Sequence, residues 1–522
     1  MKILTWCAGM RLWTKSTFYE NLLIMILVAA LGIVMAPGVS QASSVPLNSK
    51  GIYSTTADDG GIIYLYRYAP YTTGTPTFRT GGTPVVLFTG IIENMNQYLS
   101  CTPSDMTAAY STVYVPTVSS APAWALNSSG TDYETYIKAD KMRYYSLAHY
   151  LWLQGYDPWL VNYRNTGRLP VRSIGSNYIG LTTLDTWATL DTPAAIAKVK
   201  SVTGKRMFIG GHSMGGFVSY AYLQGAYLDY GSATTAIAKK AYYLLCYALG
   251  FQPHVKATAS LAKTRNADIR GFIGLDPAGK PPVPSLLNTV LTWTMVGSAI
   301  YLPFDGVSQV LLQLFPSLVL VPAVDIIFGI LNIADAAVAA LGVSPDDNLF
   351  KYMDFWLVMN TDPCMEDWMA RYGLSGVAMR GMGHYMDNGL NNTIREHYLN
   401  GLENYTSLVL LTTGGPPPNP GHDGYYYYSE NMSRMTVPLI VFSSTEGSLV
   451  TPQATYDTII SKKSPTAYDT WYVLSNTAHA DLAVGKKMTT TLFPQLGAWL
   501  KTVNALSSNP ANTTTPASRV DE

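Results

Sequence analysis

The chain has 522 residues, 48% of them hydrophobic and only 13% charged, which is room for one large catalytic domain carrying an insertion or for two domains. Acids and bases match at 34 each, so no charge asymmetry points to nucleic acid or to an anionic membrane surface. Tyrosine reaches 37 residues, and low charge with abundant Tyr, Thr, Ser and Pro suits an extracellular protein.

Lys2, Arg11 and Lys15 precede an apolar run from Leu22 to Met35, and Ser40-Gln41-Ala42 supplies small residues for cleavage. This layout predicts a cleaved signal peptide over 1–42 and a secreted or periplasmic chain. A retained membrane anchor is the competing reading, disfavoured because a full span needs about 20 apolar residues. Cys7 would leave with the signal, so Cys101, Cys246 and Cys364 remain, an odd number that allows one disulfide at most. Their spacing is no metal signature.

After the signal, Gly61 to Tyr68 alternates as a strand, and Pro84 to Phe88 is a short β-rich run ending at Thr89-Gly90. A helix is expected around Tyr144 to Gln154, closed by Gly155, then a buried strand at Pro158 to Asn162. Thr192 to Thr203 reads as helical, with Pro193 in its first turn and Gly204 as the stop. Met207 to Gly211 is a strand, and the chain turns helical after Ser213 through Gln224. Gly271 to Leu275, Pro438 to Ser443 and Thr470 to Leu474 are further apolar strands. Strands alternating with helices imply a mostly parallel sheet covered on both faces.

The core so predicted comprises 43–280 and 431–506, interrupted by an insertion over 281–430. From Val283 to Gly342 that insertion is nearly uncharged, yet Pro303, Asp305, Pro316, Pro322 and Asp325 break it. The breaks argue against a transmembrane span and for several short apolar helices, a cap or lid whose inner face meets a greasy substrate. Gly414 to Tyr428 reads as a loop returning to the core. The tail 507–522, rich in Ser, Thr, Asn and Pro, is expected to be disordered.

Gly211-His212-Ser213-Met214-Gly215 fits G-x-S-x-G, preceded by Met207-Phe208-Ile209-Gly210 and followed by an apolar helix. A serine hydroxyl is a poor nucleophile and must be exposed where a base can reach it. A strand-to-helix turn does this, and only small neighbours tolerate its backbone. The same turn offers the Met214 N–H at a helix start to a developing oxyanion. A second donor is expected from the loop after Val85-Val86-Leu87-Phe88-Thr89-Gly90, with the Ile91 N–H as candidate.

Further motifs extend this context. Gly155-Tyr156-Asp157-Pro158-Trp159-Leu160-Val161-Asn162-Tyr163-Arg164 resembles the G-Y-D-x-W-x-x-N-x-R run of the acid lipase family of gastric and lysosomal type. Leu190-Asp191-Thr192-Pro193-Ala194 resembles that family's D-x-P-A helix, and His479-Ala480-Asp481-Leu482 its terminal H-x-D segment. The resemblance implies an α/β-hydrolase fold, a mostly parallel sheet flanked by helices, with a large helical cap inserted before the penultimate strand. It implies action on carboxylic esters of hydrophobic acids with no cofactor or metal. The partners so implied are a hydrophobic ester and, as a candidate, a lipid interface.

The general base of this fold is a histidine on the loop after the last strand, and His479 alone follows Thr470 to Leu474. His212 adjoins the serine but points elsewhere on the turn. For the acid, the family's aspartate position falls on Gly447, with Glu446 one residue early. Phe272-Ile273-Gly274-Leu275-Asp276-Pro277-Ala278-Gly279 offers a rival at a strand tip and resembles the G-L-D-P-A segment of pancreatic-type lipases. Asp276 is favoured over Glu446. An acyltransferase or amidase with the same triad, and a non-catalytic binding protein on a hydrolase core, are the alternatives to an esterase or lipase.

Overall fold

The structure is a computed structural model that describes residues 45–70, 76–127, 129–176, 179–248, 253–280, 300–303, 360–390, 392–397, 425–446 and 449–522. The expected signal peptide and most of the expected cap lie outside the described residues.

The main sheet is built from β1 (Ile52–Thr56), β2 (Ile62–Arg67), β3 (Pro84–Phe88), β4 (Asp157–Val161), β5 (Met207–His212), β6 (Ile269–Leu275), β7 (Leu439–Ser444), β8 (Thr470–Leu474) and β9 (Arg519–Asp521). Its strand order is β1-β2-β4-β3-β5-β6-β7-β8-β9. The hairpin β1–β2 and the β2–β4 pair are antiparallel, and all other pairs are parallel. This order, with the serine turn following the central strand β5, is that of the α/β-hydrolase fold.

Strands β3, β4 and β5 are buried throughout, as parallel strands covered on both faces must be. Their period of two sorts side chains between two cores. Val86, Phe88, Val161 and Ile209 pack on one face with Ile196 and Val199 of α2 (Thr192–Thr203) and Phe217 and Val218 of α3 (Met214–Leu223). Val85, Leu87, Leu160 and Phe208 pack on the other with Leu147 and Leu151 of α1 (Leu147–Leu153) and Leu496 and Leu500 of α4 (Phe493–Asn504). Helix α2 carries Pro193 in its first turn, runs on without a break from the π-helical turn Trp187–Asp191, and stops at Gly204, whose φ of 67° is left-handed. Helix α1 begins later than expected, because the Ser146 side chain caps it by accepting the His149 N–H, and Lys141–Tyr145 is a separate 3-10 turn.

The motifs around Asp157, Asn162, Arg164 and Asp191 act as fasteners. Arg164 is fully buried and donates to Asp191 at 2.6 and 2.8 Å and to Asp59 at 2.5 and 3.1 Å. Asp157 accepts from Arg67 at 2.8 Å on both oxygens and from Trp159 Nε1 at 3.0 Å. Asn162 accepts the Met95 N–H and donates to the Val171 carbonyl. These bonds tie β2, β4 and the start of α2 to the loop after β3.

Two expectations are corrected. The tail is not wholly disordered, since Arg519–Asp521 pairs in parallel with Trp471–Val473. Backbone bonds from Glu522 N–H to Val473 and from Ser475 N–H to Glu522 close this edge, and the Arg519 guanidinium lies over the Trp471 ring. Edge pairing needs backbone rather than an apolar pattern, so polar composition concealed it. The insertion consequently precedes the third strand from the end of the sheet, not the penultimate one. Within the insertion, Pro363–Trp368 and Met379–Leu390 are helices, and residues 372–375 bond to the loop after β3 through Asn94 and Ile92. Cys101, Cys246 and Cys364 are all buried free thiols.

Candidate active site

Ser213 sits between β5 and α3 with φ 51° and ψ −114°, a strained conformation for a residue with a side chain. Its N–H donates to Leu275 at 2.9 Å, and its carbonyl accepts from Gly216 at 2.9 Å and Ala278 at 2.8 Å. The strain is therefore held by bonds on both sides of the residue. The flanking glycines have a specific cause: a Cβ on Gly211 or on Gly215 would collide with the Phe88 carbonyl oxygen of β3. Tyr98, fully buried, donates its hydroxyl to that same oxygen at 2.7 Å and accepts the His212 N–H at 2.7 Å.

Asp276 ends β6, buried and at a left-handed φ of 43°. Its carboxylate accepts from Ser444 through both N–H and hydroxyl, and Oδ2 lies 3.1 Å from His479 Nδ1. His479 lies on the loop after β8 and is also buried. With Nδ1 bonded to Asp276, proton transfer to the ring goes to Nε2. Backbone bonds join Ser213 to Leu275 and Ala278, on either side of Asp276, and its neighbour His212 meets the His479 carbonyl oxygen. The His212 and His479 ring centroids are 4.5 Å apart. Ser213 is buried, with 9% of its surface exposed.

Glu446 stands apart. Its N–H donates to the Thr477 carbonyl at 2.9 Å, yet its side chain is exposed and accepts from Thr445 at 2.9 Å. The carboxylate that meets the expected base His479 is Asp276, and the Glu446 side chain turns to solvent instead. Met214 opens α3, where the first N–H groups have no acceptor within the helix. Ile91 follows β3, whose Phe88 pairs level with Gly211, so both expected oxyanion donors leave neighbouring strands at the same end of the sheet.

Sequence reasoning missed two residues. His212 Nδ1 lies 3.0 Å from Glu93 Oε2, and its Nε2 lies 2.9 Å from the His479 carbonyl oxygen. Glu93 Oε2 also accepts the Gly90 N–H at 2.7 Å. The available signal was an acid in the otherwise uncharged turn Gly90-Ile91-Ile92-Glu93-Asn94. Burial pulls His212 down, but the Glu93 carboxylate outweighs it and raises His212 above the ordinary imidazole value. Burial likewise opposes the Glu93 charge, and His212 nevertheless holds Glu93 below the usual range. His479 is lowered by burial and by the His212 charge, against the pull of Asp276. Among the described residues, no group of three or more His, Cys, Asp or Glu side chains could hold a metal ion.

No protein-family model matches the sequence, and no curated protein is found to match it. Solved structures are similar at low identity. An esterase from Thermogutta terrifontis with malate bound is 12% identical, over 87% of this chain and 98% of that one, with a TM-score of 0.36. A soluble variant of monoglyceride lipase from Saccharomyces cerevisiae, in complex with a substrate analog, is 13% identical over 92% and 100%, with a TM-score of 0.39. A membrane phospholipase A, a bacterial virulence factor, is 9% identical over 97% and 100%, with a TM-score of 0.37. Likeness this distant assigns no activity, and the acid-lipase resemblance rests on its motifs alone.

Proposed function

On this α/β-hydrolase fold, we propose a secreted serine hydrolase that cleaves carboxylic esters of hydrophobic acids. The observation that carries the reading is the buried 3.1 Å contact of His479 Nδ1 with Asp276, beside a strained serine at the end of the central strand. Ser213 Oγ attacks the ester carbonyl while His479 Nε2 takes its proton. The Met214 and Ile91 N–H groups stabilise the oxyanion, and His479 returns the proton to the leaving alcohol. Water, activated by the same imidazole, then frees the acid from Ser213. Asp276 fixes the Nδ1–H tautomer and stabilises the imidazolium that forms at each step. The lowered His479 value supports a base that is neutral, and so competent, at pH 7.

Hydrophobic acyl chains are favoured by the apolar stretch Val283 to Gly342. Burial of one methylene contributes about 0.8 kcal/mol, which converts to roughly fourfold in kcat/KM per methylene added. The basic, apolar and small-residue layout of residues 2–42 supports export.

A fluorophosphonate probe tests the nucleophile, and p-nitrophenyl esters of rising chain length test the substrate class. Wild type is expected to be labelled, Ser213→Ala to lose label, and kcat/KM to climb from acetate to octanoate. Absence of label on wild type, or its persistence in Ser213→Ala, overturns the reading. A flat chain-length profile overturns the hydrophobic-acid part alone.

A further inference from the structure

His212 and Glu93 lie outside the proposed triad, yet they touch every segment that carries it. Glu93 belongs to the loop after β3 and accepts the Gly90 N–H, one residue before the expected oxyanion donor. His212 belongs to the serine turn itself. Its Nε2 meets the backbone carbonyl of His479, on the loop of the base. Both side chains are buried.

Hydrogen-bond polarity fixes the proton count. A backbone carbonyl oxygen only accepts, so His212 Nε2 carries a hydrogen. Glu93 Oε2 already accepts from the Gly90 N–H, which favours the ionised carboxylate, so His212 Nδ1 carries the second hydrogen. The ring is then an imidazolium donating from both nitrogens, and its charge is matched by Glu93. The directions found for the two groups, His212 raised and Glu93 lowered, agree with this assignment.

We propose that the Glu93–His212 pair is a buried ion-pair clamp that positions His479, binding the oxyanion loop, the serine turn and the base loop through one doubly protonated imidazole. The inference rests on the hydrolase reading and assigns both residues as positioning residues. Their charge also bears on the base. Among the described residues, the groups facing His479 include Asp276 at its Nδ1, His212 beside its ring, and Glu93 behind His212; Tyr385 feels the Asp276 charge, and Asp481 caps the Ala478 N–H on the same loop. His212 opposes protonation of His479, while Glu93 favours it more weakly from farther away.

Glu93→Gln separates charge from shape. Glu93 Oε2 meets both Gly90 and His212, so an amide nitrogen at that place donates to a neutral His212 that keeps its Nε2–H bond to His479, while the Gly90 N–H gives up its acceptor. His479 then loses an adjacent positive charge, so its proton is held more tightly and the acid limb of kcat/KM moves to higher pH. His212→Gln cannot serve both acceptors, and a base misplaced by about 1 Å costs on the order of 10²-fold in kcat with KM little changed. Histidine-selective ¹⁵N NMR of wild type, assigned with His212→Gln, reads the ring directly without turnover, and both His212 nitrogens are expected to be protonated at pH 7.

A singly protonated His212, or a Glu93→Gln enzyme whose acid limb stays at the wild-type pH, overturns the clamp while leaving the hydrolase intact. A wild type that takes no fluorophosphonate label overturns the hydrolase reading and, with it, the positioning role, even with both nitrogens protonated.

Discussion

Two buried charge clusters flank the centre of the sheet, and they are built to different ends. Around Arg164, two carboxylates surround one guanidinium with four side-chain bonds, and the Arg164 N–H adds another to Asp191. Arginine does not release its proton in proteins, so this cluster holds one state at all ordinary pH. Around Ser213, two carboxylates pair with two imidazoles, Asp276 with His479 and Glu93 with His212. Imidazole is the group whose charge changes near neutrality. One cluster commits four of its five guanidinium donors to holding strands together. The other keeps a proton that can move.

That contrast can be broken in three places. Asp276→Asn should have the largest effect, about a 10⁴-fold loss of kcat, because an amide imposes the wrong histidine tautomer while leaving the fold intact. Steady-state kinetics alongside an unchanged melting curve is the check. Arg164→Ala should reverse the pattern, destabilising the protein by about 3–5 kcal/mol through two uncompensated buried carboxylates. Denaturant unfolding reads this loss, and the folded fraction should retain near-normal kcat. Smallest of all, Glu446→Ala should leave kcat/KM within about twofold, as expected of an exposed side chain whose carboxylate bonds to Thr445 rather than to His479. Activity loss there comparable to that of Asp276→Asn would erase the distinction between the two candidate acids.

Much of this was legible in the sequence because it is local. Alternation located β2, apolar runs of five or six residues located β3 through β8, and Gly204 marked the end of α2. The serine turn is a contiguous motif whose glycines answer to one neighbouring carbonyl. Strand β1, Ile52-Tyr53-Ser54-Thr55-Thr56, and strand β9 escaped notice because edge strands are held by backbone pairing and carry no apolar stripe. The choice of acid needed coordinates, since the Glu446 backbone bonds to the base loop while its carboxylate turns to solvent. Glu93 and His212 are 119 residues apart, and no spacing rule joins an acid in one loop to an imidazole in another.

The Phe88 carbonyl oxygen carries a wider consequence. It belongs to the main chain, so no replacement of residue 88 can remove it, and the steric ban it places on positions 211 and 215 outlasts any mutation of that site. Directed evolution of this site will find its floor closed to variation. Libraries are better spent on the segments that leave the strand ends, where side chains rather than peptide oxygens set the shape.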